Sequence, residues 1–172
     1  STYRPQFDSI YSQCSHHLQR MSGTASQHHD WKLGIVMPPT SRQAQLDNWG
    51  NPYIQYYGLV EWILKVREYN PNAKFIWTLN INHMTNADHA DLAEFLLYEG
   101  SGNPNGGVNW KQERINLGLD SAAVNIDFIE LGNELDAGGH GYTIQQYIDS
   151  CQNAINAMRA VVPDIKFAAH VK

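Results

Sequence analysis

Residues Ile126-Asp127-Phe128-Ile129-Glu130-Leu131-Gly132-Asn133-Glu134-Leu135-Asp136 hold the key to this chain. An apolar run of strand length ends on an amide and a carboxylic acid side by side, and the chain then breaks into Ala137-Gly138-Gly139-His140-Gly141. A near-continuous apolar run of this kind fits a strand covered on both faces, as in parallel sheets. In a parallel β/α barrel the carboxyl ends of the strands carry the chemistry. A glutamate there, half sheltered by apolar neighbours, can hold its proton near neutral pH and act as a general acid. The adjacent amide can bind a sugar hydroxyl. The plain alternative is a glutamate that merely opens a surface loop, so the flanking sequence has to choose.

On either side the same unit recurs. Lys74 to Asn82 is β-rich and apolar behind Asn70-Pro71-Asn72, which predicts a strand. Asn86 to Glu99 follows with Leu92, Phe95 and Leu96 at helical spacing, Asp88 and Asp91 early and Gly100 as a stop. After the central strand, Thr143 and Gln146 form a capping box, in which the hydroxyl accepts an orphan backbone N–H and the glutamine reaches back. Ile144, Tyr147, Ile148, Cys151, Ile155 and Met158 then give one apolar stripe, and Pro163 ends the helix. Ile165 to Val171 predicts a third strand. Tyr53 to Tyr69 reads as a helix with Tyr57, Val60, Ile63 and Leu64 on one side. Residues 1–52 read as irregular and rich in loops, with at most a short helix and a fourth strand near the N-terminus. Residues 53–172 hold the regular β/α units, and Gly100 to Val108 is a turn-rich connection. The whole is expected to be one domain. Strands alternating with helices imply parallel pairing. A barrel and an open doubly wound sheet both fit. No Gly-x-Gly-x-x-Gly follows a strand, so a dinucleotide fold has no support.

Composition narrows the partners. The 172 residues are 42% hydrophobic and 17% charged, a globular balance. Twelve Lys plus Arg against 17 Asp plus Glu give a net charge of -5, which argues against nucleic acid. No apolar run approaches the roughly 20 residues that span a bilayer, so no membrane partner is expected. The start, Ser1-Thr2-Tyr3-Arg4-Pro5, lacks the apolar core of a signal peptide. Cys14 and Cys151 are too few for a disulfide framework, and Cys151 lies on the apolar stripe of its helix as a buried thiol. The compartment stays open, with an extracellular setting favoured. Five Trp and nine Tyr suit a carbohydrate cleft and equally suit a core.

Ile129-Glu130-Leu131-Gly132-Asn133-Glu134-Leu135-Asp136 resembles the retaining glycoside hydrolases of clan A, most of all family 51, the α-L-arabinofuranosidase type. There, a strand ending in Leu-Gly-Asn-Glu precedes a hydrophobic residue and Asp. Thr143 to Asp164 is similar to that family's next helix and the Pro-Asp before strand five. Thr78-Leu79-Asn80-Ile81 resembles its strand three, and Trp62 to Lys74 the helix and turn before it. The resemblance implies a parallel (β/α)8 TIM-barrel type of fold, here a partial barrel of strands two to five. It implies Glu134 as general acid/base and Asn133 as partner of the sugar 2-hydroxyl, with no cofactor. Asn80, at the matching end of strand three, is expected to line the cleft. The family's Arg-x-Pro-Gly-Gly at strand two is echoed at Tyr3-Arg4-Pro5, without the glycines, and its Trp after the motif is replaced by Ala137 to Gly141. The sugar and linkage therefore stay open within polysaccharides and oligosaccharides.

Other side chains have weaker claims. Glu130 shares a strand face with Glu134, but four residues at about 3.3 Å each put them roughly 13 Å apart. It is expected to be a structural carboxylate inside the barrel, paired with an Arg or Lys. Asp136 caps a turn or reaches the cleft. His83 and His140 follow strands and fall near the mouth, where they are candidate sugar contacts; His170 reads as a core histidine. The adjacent pairs His16-His17 and His28-His29, with Cys14 close by, lack metal-ligand spacing, so no metal is expected. No Gly-x-Ser-x-Gly elbow supports serine chemistry.

Retaining hydrolysis needs a second carboxylate about 5–5.5 Å from the first, and the resemblance implies that it comes from strand seven, outside this chain. A barrel of this class takes about 250 residues. The segment is therefore expected to be inactive alone and to need the remaining barrel half, with a longer parent enzyme favoured over a homodimer. If it did turn over alone, Glu130, Asp136 and Glu99 would be the carboxylates to test as nucleophile. The competing expectation is a non-catalytic carbohydrate-binding or self-assembling half-barrel module.

Overall fold

In the computed structural model, residues 17–21, 29–47, 50–133, 135 and 142–169 are described. Glu134, Asp136, His140, His170, Arg4, Cys14, His16 and His28 lie outside them. Four parallel strands form the sheet: β1 (Leu18–Met21), β4 (Lys74–Thr78), β5 (Ile126–Leu131) and β6 (Phe167–Ala169), hydrogen-bonded in that order. Between the first two lie the short helix α1 (Trp31–Gly34), an antiparallel ribbon of β2 (Gln45–Leu46) with β3 (Pro52–Tyr53), and α2 (Leu59–Tyr69). Helices α3 (Asn86–Leu97) and α4 (Trp110–Asn116) connect β4 to β5, and α5 (Ile144–Val161) connects β5 to β6.

Strand order settles the choice between barrel and open sheet. A doubly wound sheet reverses its order at a switch point, whereas here every described strand of the main sheet pairs with the next one along the chain. This is the arrangement of a β/α barrel, present as a partial barrel.

The two faces of the sheet differ. Phe75, Trp77, Leu79, Ile129 and Leu131 join the contiguous apolar core with Leu92, Phe95 and Leu96 of α3 and Ala154 and Met158 of α5. Ile76 and Thr78 are also buried but point to the opposite face. Paired residues of parallel strands share a face, so the register Arg20–Ile76–Phe128 and Thr78–Glu130–Ala168 places these side chains together on the barrel-interior side.

Several sequence expectations shift. The helix read from Tyr53 begins at Leu59 instead. Glu61 accepts from the Gly58 N–H at 2.8 Å and so caps the first turn. Buried Arg42 donates to the carbonyls of Val36 and Gln55 at 2.8 and 2.7 Å, and its third nitrogen pairs with Glu61. That guanidinium ties Val36, Gln55 and Glu61 together just ahead of the helix. Leu64 is exposed. On α5 the buried stripe is Cys151, Ala154, Met158 and Val161, with Tyr147 packed against it, while Ile144 and Ile148 are exposed. The Thr143–Gln146 box is formed, with backbone-to-side-chain contacts of 3.2 and 2.9 Å. Helix α4 was not anticipated: only Asn109, accepting from the Gln112 N–H at 2.9 Å, marks its start.

Trp31 anchors α1, packing 5.3 Å from Phe95 and 5.0 Å from Trp110 between ring centroids. Beside it the Lys32 ammonium sits 2.6 Å from both Asp88 and Asp91 and 5.1 Å from the Trp110 ring centroid. Burial opposes the charge on Lys32, but the hydrogen bonds it donates to Asp88 and Asp91, with the attraction of the two carboxylates, outweigh it and raise its pKa.

Two buried histidines give a pH signature. Burial lowers both His29 and His89 from 6.5 to about 4; Arg42 adds to the first, and Asp88 partly opposes the second. The unfolded chain takes up these protons first, so stability is complete above pH 6.5 and falls as pH drops toward 4. At 1.36 kcal/mol per pKa unit, each histidine is expected to cost about 2 kcal/mol at pH 5. Urea unfolding at pH 7 and pH 5 measures this, and His89→Leu should flatten the difference by about half. An unchanged slope in that variant would remove His89 from the account.

Candidate active site at the carboxyl ends of the strands

Gly132 ends β5 with a φ of +84°, a left-handed conformation that glycine adopts readily. A Cβ there would also meet the Leu135 side chain at 2.6 Å. The turn delivers Asn133, half-buried, to the carboxyl edge of the sheet. Two tyrosines frame the edge from α5 and its approach. Tyr147 donates to the Leu131 carbonyl at 2.9 Å, and Tyr142 to that of Ile81 at 3.3 Å.

The polar centre is built by three strands. From β1, Arg20 Nε lies 2.9 and 2.7 Å from the two carboxylate oxygens of Glu130 on β5. An Nη of Arg20 also reaches Glu130 at 2.7 Å and the Asn133 Oδ1 at 3.2 Å. From β4, Thr78 donates its hydroxyl to Glu130 at 2.6 Å. Glu130 is thus the paired interior carboxylate that strand alternation suggested, and its partner is Arg20.

The remaining site expectations are distributed as follows. Asn80 lies at the carboxyl end of β4 but is buried, with both ends of its amide engaged. It donates to the His29 carbonyl at 3.2 Å and accepts from the His83 N–H at 3.1 Å. Its amide shapes the loop that carries His83, whose side chain is exposed beside the same edge. Glu99 sits at the opposite end of the sheet, where it accepts from the Ala123 N–H just before β5. Glu134 and His140 fall outside the described residues, as do Asp136 and His170. Tyr3-Arg4-Pro5 lies outside them too, and the strand beside β4 is Leu18–Met21, which carries Arg20. The fourth strand expected near the N-terminus is thus β1, whose four residues of mixed polarity give too short an alternation to fix its position in advance.

A groove of about 370 Å³ opens at the amino ends of the strands, lined among others by Lys74, Ile126, Asp127, Val162 and Lys166. It is remote from Asn133 and takes no part in the carboxyl-edge site. Among the described residues no three His, Cys, Asp or Glu side chains gather as a metal site, and no helix is long and apolar enough to cross a membrane. Cys151 is a free, buried thiol, and burial raises its pKa.

Neither a protein-family model nor a curated protein matches the chain in sequence. Solved structures do match it in fold. The α-L-arabinofuranosidase of Thermotoga maritima, solved with arabinose, aligns over 88% of this chain with a TM-score of 0.73 and 22% identity. The GH51 α-L-arabinofuranosidase of Thermotoga petrophila aligns over 95% with a TM-score of 0.75 and 22% identity. The GH51 arabinofuranosidase of Xanthomonas axonopodis pv. citri aligns over 97% with a TM-score of 0.75 and 17% identity. The fold is that of a GH51-like barrel segment. The chain spans 30 to 32% of the length of these three proteins.

Proposed function

We propose that the chain is the acid/base-bearing part of a retaining O-glycoside hydrolase acting on an oligosaccharide or polysaccharide. The observation that supports this best is the strand end itself. Asn133 stands at the carboxyl edge of β5 with its oxygen turned to Arg20, and the sequence places Glu134 next to it. In this reading Glu134 protonates the leaving oxygen and then, as its carboxylate, activates the attacking water. Asn133 donates to the sugar 2-hydroxyl. His83 and His140 contact the sugar or the leaving group from the loops after β4 and β5, and Asn80 acts by fixing the loop of His83.

The nucleophile comes from elsewhere. Among the described carboxylates, Glu130 is occupied by Arg20 and Thr78, and Glu99 lies at the wrong end of the strands. In this reading a second carboxylate about 5–5.5 Å from Glu134 is supplied by further barrel strands. We take the chain to represent strands two to five, completed by the rest of its own polypeptide rather than by a second copy.

The stereochemical course tests the reading. Proton NMR of early hydrolysis by the full natural protein should show the product first in the anomeric form of the substrate, equilibrating only later. First appearance of the opposite anomer would exclude a retaining mechanism. Hydrolysis-free binding of the same sugar would point to a carbohydrate-binding module.

A further inference from the structure

We propose that Arg20, held by Glu130 and Thr78, is the positioning residue that sets which way the Asn133 amide faces; the sugar-binding consequence rests on the function proposed above. An asparagine amide has two nearly isosteric ends, one that accepts and one that donates. In a half-exposed turn it can flip, and the wrong orientation would present an acceptor to the sugar hydroxyl. A guanidinium resolves the choice because it carries only donors. Facing Arg20 at 3.2 Å, the Asn133 atom has to be the oxygen, so the NH2 group is turned away and is the end free to donate.

The guanidinium is itself fixed. Glu130 accepts from Nε at 2.9 and 2.7 Å and from Nη at 2.7 Å, and Thr78 holds the same carboxylate at 2.6 Å. Three adjacent strands thereby register one side chain, and the carboxylate lies four residues upstream of the motif glutamate on the same strand. The Arg20 side chain is 42% exposed, and ion pairs that open to solvent contribute little to stability. The cluster is thus better placed to orient Asn133 than to hold the fold together.

The side-chain NH2 resonances of Asn133, assigned in a 1H–15N spectrum by their loss in Asn133→Asp, report the orientation directly. Arg20→Met and Glu130→Leu should each move this pair toward free-amide shifts. Arg20→Lys, which keeps the charge but not the fork, should give an intermediate shift and covers the case in which a larger change perturbs the fold. Unchanged Asn133 resonances in Arg20→Lys and in whichever of the other variants fold would overturn the proposal. Titration of the parent with L-arabinose, D-xylose and D-galactose separates the two ideas. If none of these sugars shifts the Asn133 pair while the variants do, the orienting role stands and the sugar-binding reading fails.

Discussion

Replacing Glu134 by Gln is expected to slow hydrolysis of glycosides with poor leaving groups by about 10²- to 10⁴-fold, the usual contribution of general acid–base catalysis. The loss is selective because only a poor leaving group needs its oxygen protonated as the bond breaks. A dinitrophenyl glycoside departs without that proton, so its first, bond-cleaving step should be nearly as fast in the variant. The second step should be slow for every substrate, since the same side chain then serves as base toward water. Azide, which needs no base, should restore turnover of activated substrates and yield a glycosyl azide. The measurement is kcat/KM across aryl glycosides of graded leaving-group pKa, in the full natural protein. A steep dependence is expected in the variant and a shallow one in the parent. Equal activity of the two on the poorest leaving group would rule out Glu134 as the acid.

The second large effect concerns folding. Arg114 is completely buried and meets no carboxylate in the set of hydrogen bonds that holds it; its partners are four backbone carbonyls. Nε donates to Asp120 at 3.0 Å, one Nη to Phe95 at 2.8 Å, and the other to Tyr98 at 3.0 Å and Ser121 at 2.7 Å. Phe95 and Tyr98 lie at the carboxyl end of α3, where unsatisfied carbonyls and the helix dipole favour a cation. Arg114→Ala removes the donors and leaves buried acceptors without partners, each costing about 1–3 kcal/mol. With some relaxation, a net loss of about 3–5 kcal/mol is expected, a large share of a typical domain's stability. Arg114→Lys should recover only part of it, because an ammonium cannot reach four carbonyls spread around a plane. Chemical denaturation of the two variants checks both statements. A loss below about 1 kcal/mol for Ala would show that water replaces the guanidinium.

The elements that were legible in the sequence are those specified by local chemistry. Strand β5 could be read because its apolar run is long and ends at Gly132, and α5 because Thr143 and Gln146 cap it through contacts three residues apart. Strand β4 and helix α3 were visible for similar reasons, with Thr85 capping α3 through Asp88. What stayed hidden depends on partners far along the chain. The start of α2 is displaced by Arg42, which gathers Val36, Gln55 and Glu61 around one guanidinium. A strand near the N-terminus was expected, but its exact place at Leu18–Met21 is set by pairing with β4, more than fifty positions away.

The site divides in the same way. Asn133 was found through its strand end, and Glu130 was read as an interior carboxylate from the alternation of side chains. Its partner could not be named, since Arg20 and Glu130 lie 110 positions apart. Asn80 was placed at the correct strand end, but the engagement of its amide by His29 and His83 depends on a loop whose path carries no sequence signal. Two barrel-type strand ends and one interior carboxylate are thus as much of the site as local reading reaches.

The most direct test of the whole account is a crystal structure of the protein soaked with L-arabinose, D-xylose or D-galactose. One of these sugars is expected at the carboxyl ends of β4 and β5, with a ring hydroxyl within hydrogen-bond distance of the Asn133 NH2 group and the Glu134 carboxyl beside the anomeric oxygen. Sugar bound instead at the amino-end groove between Lys74, Asp127 and Lys166, or no sugar at the carboxyl edge at saturating concentration, would contradict it.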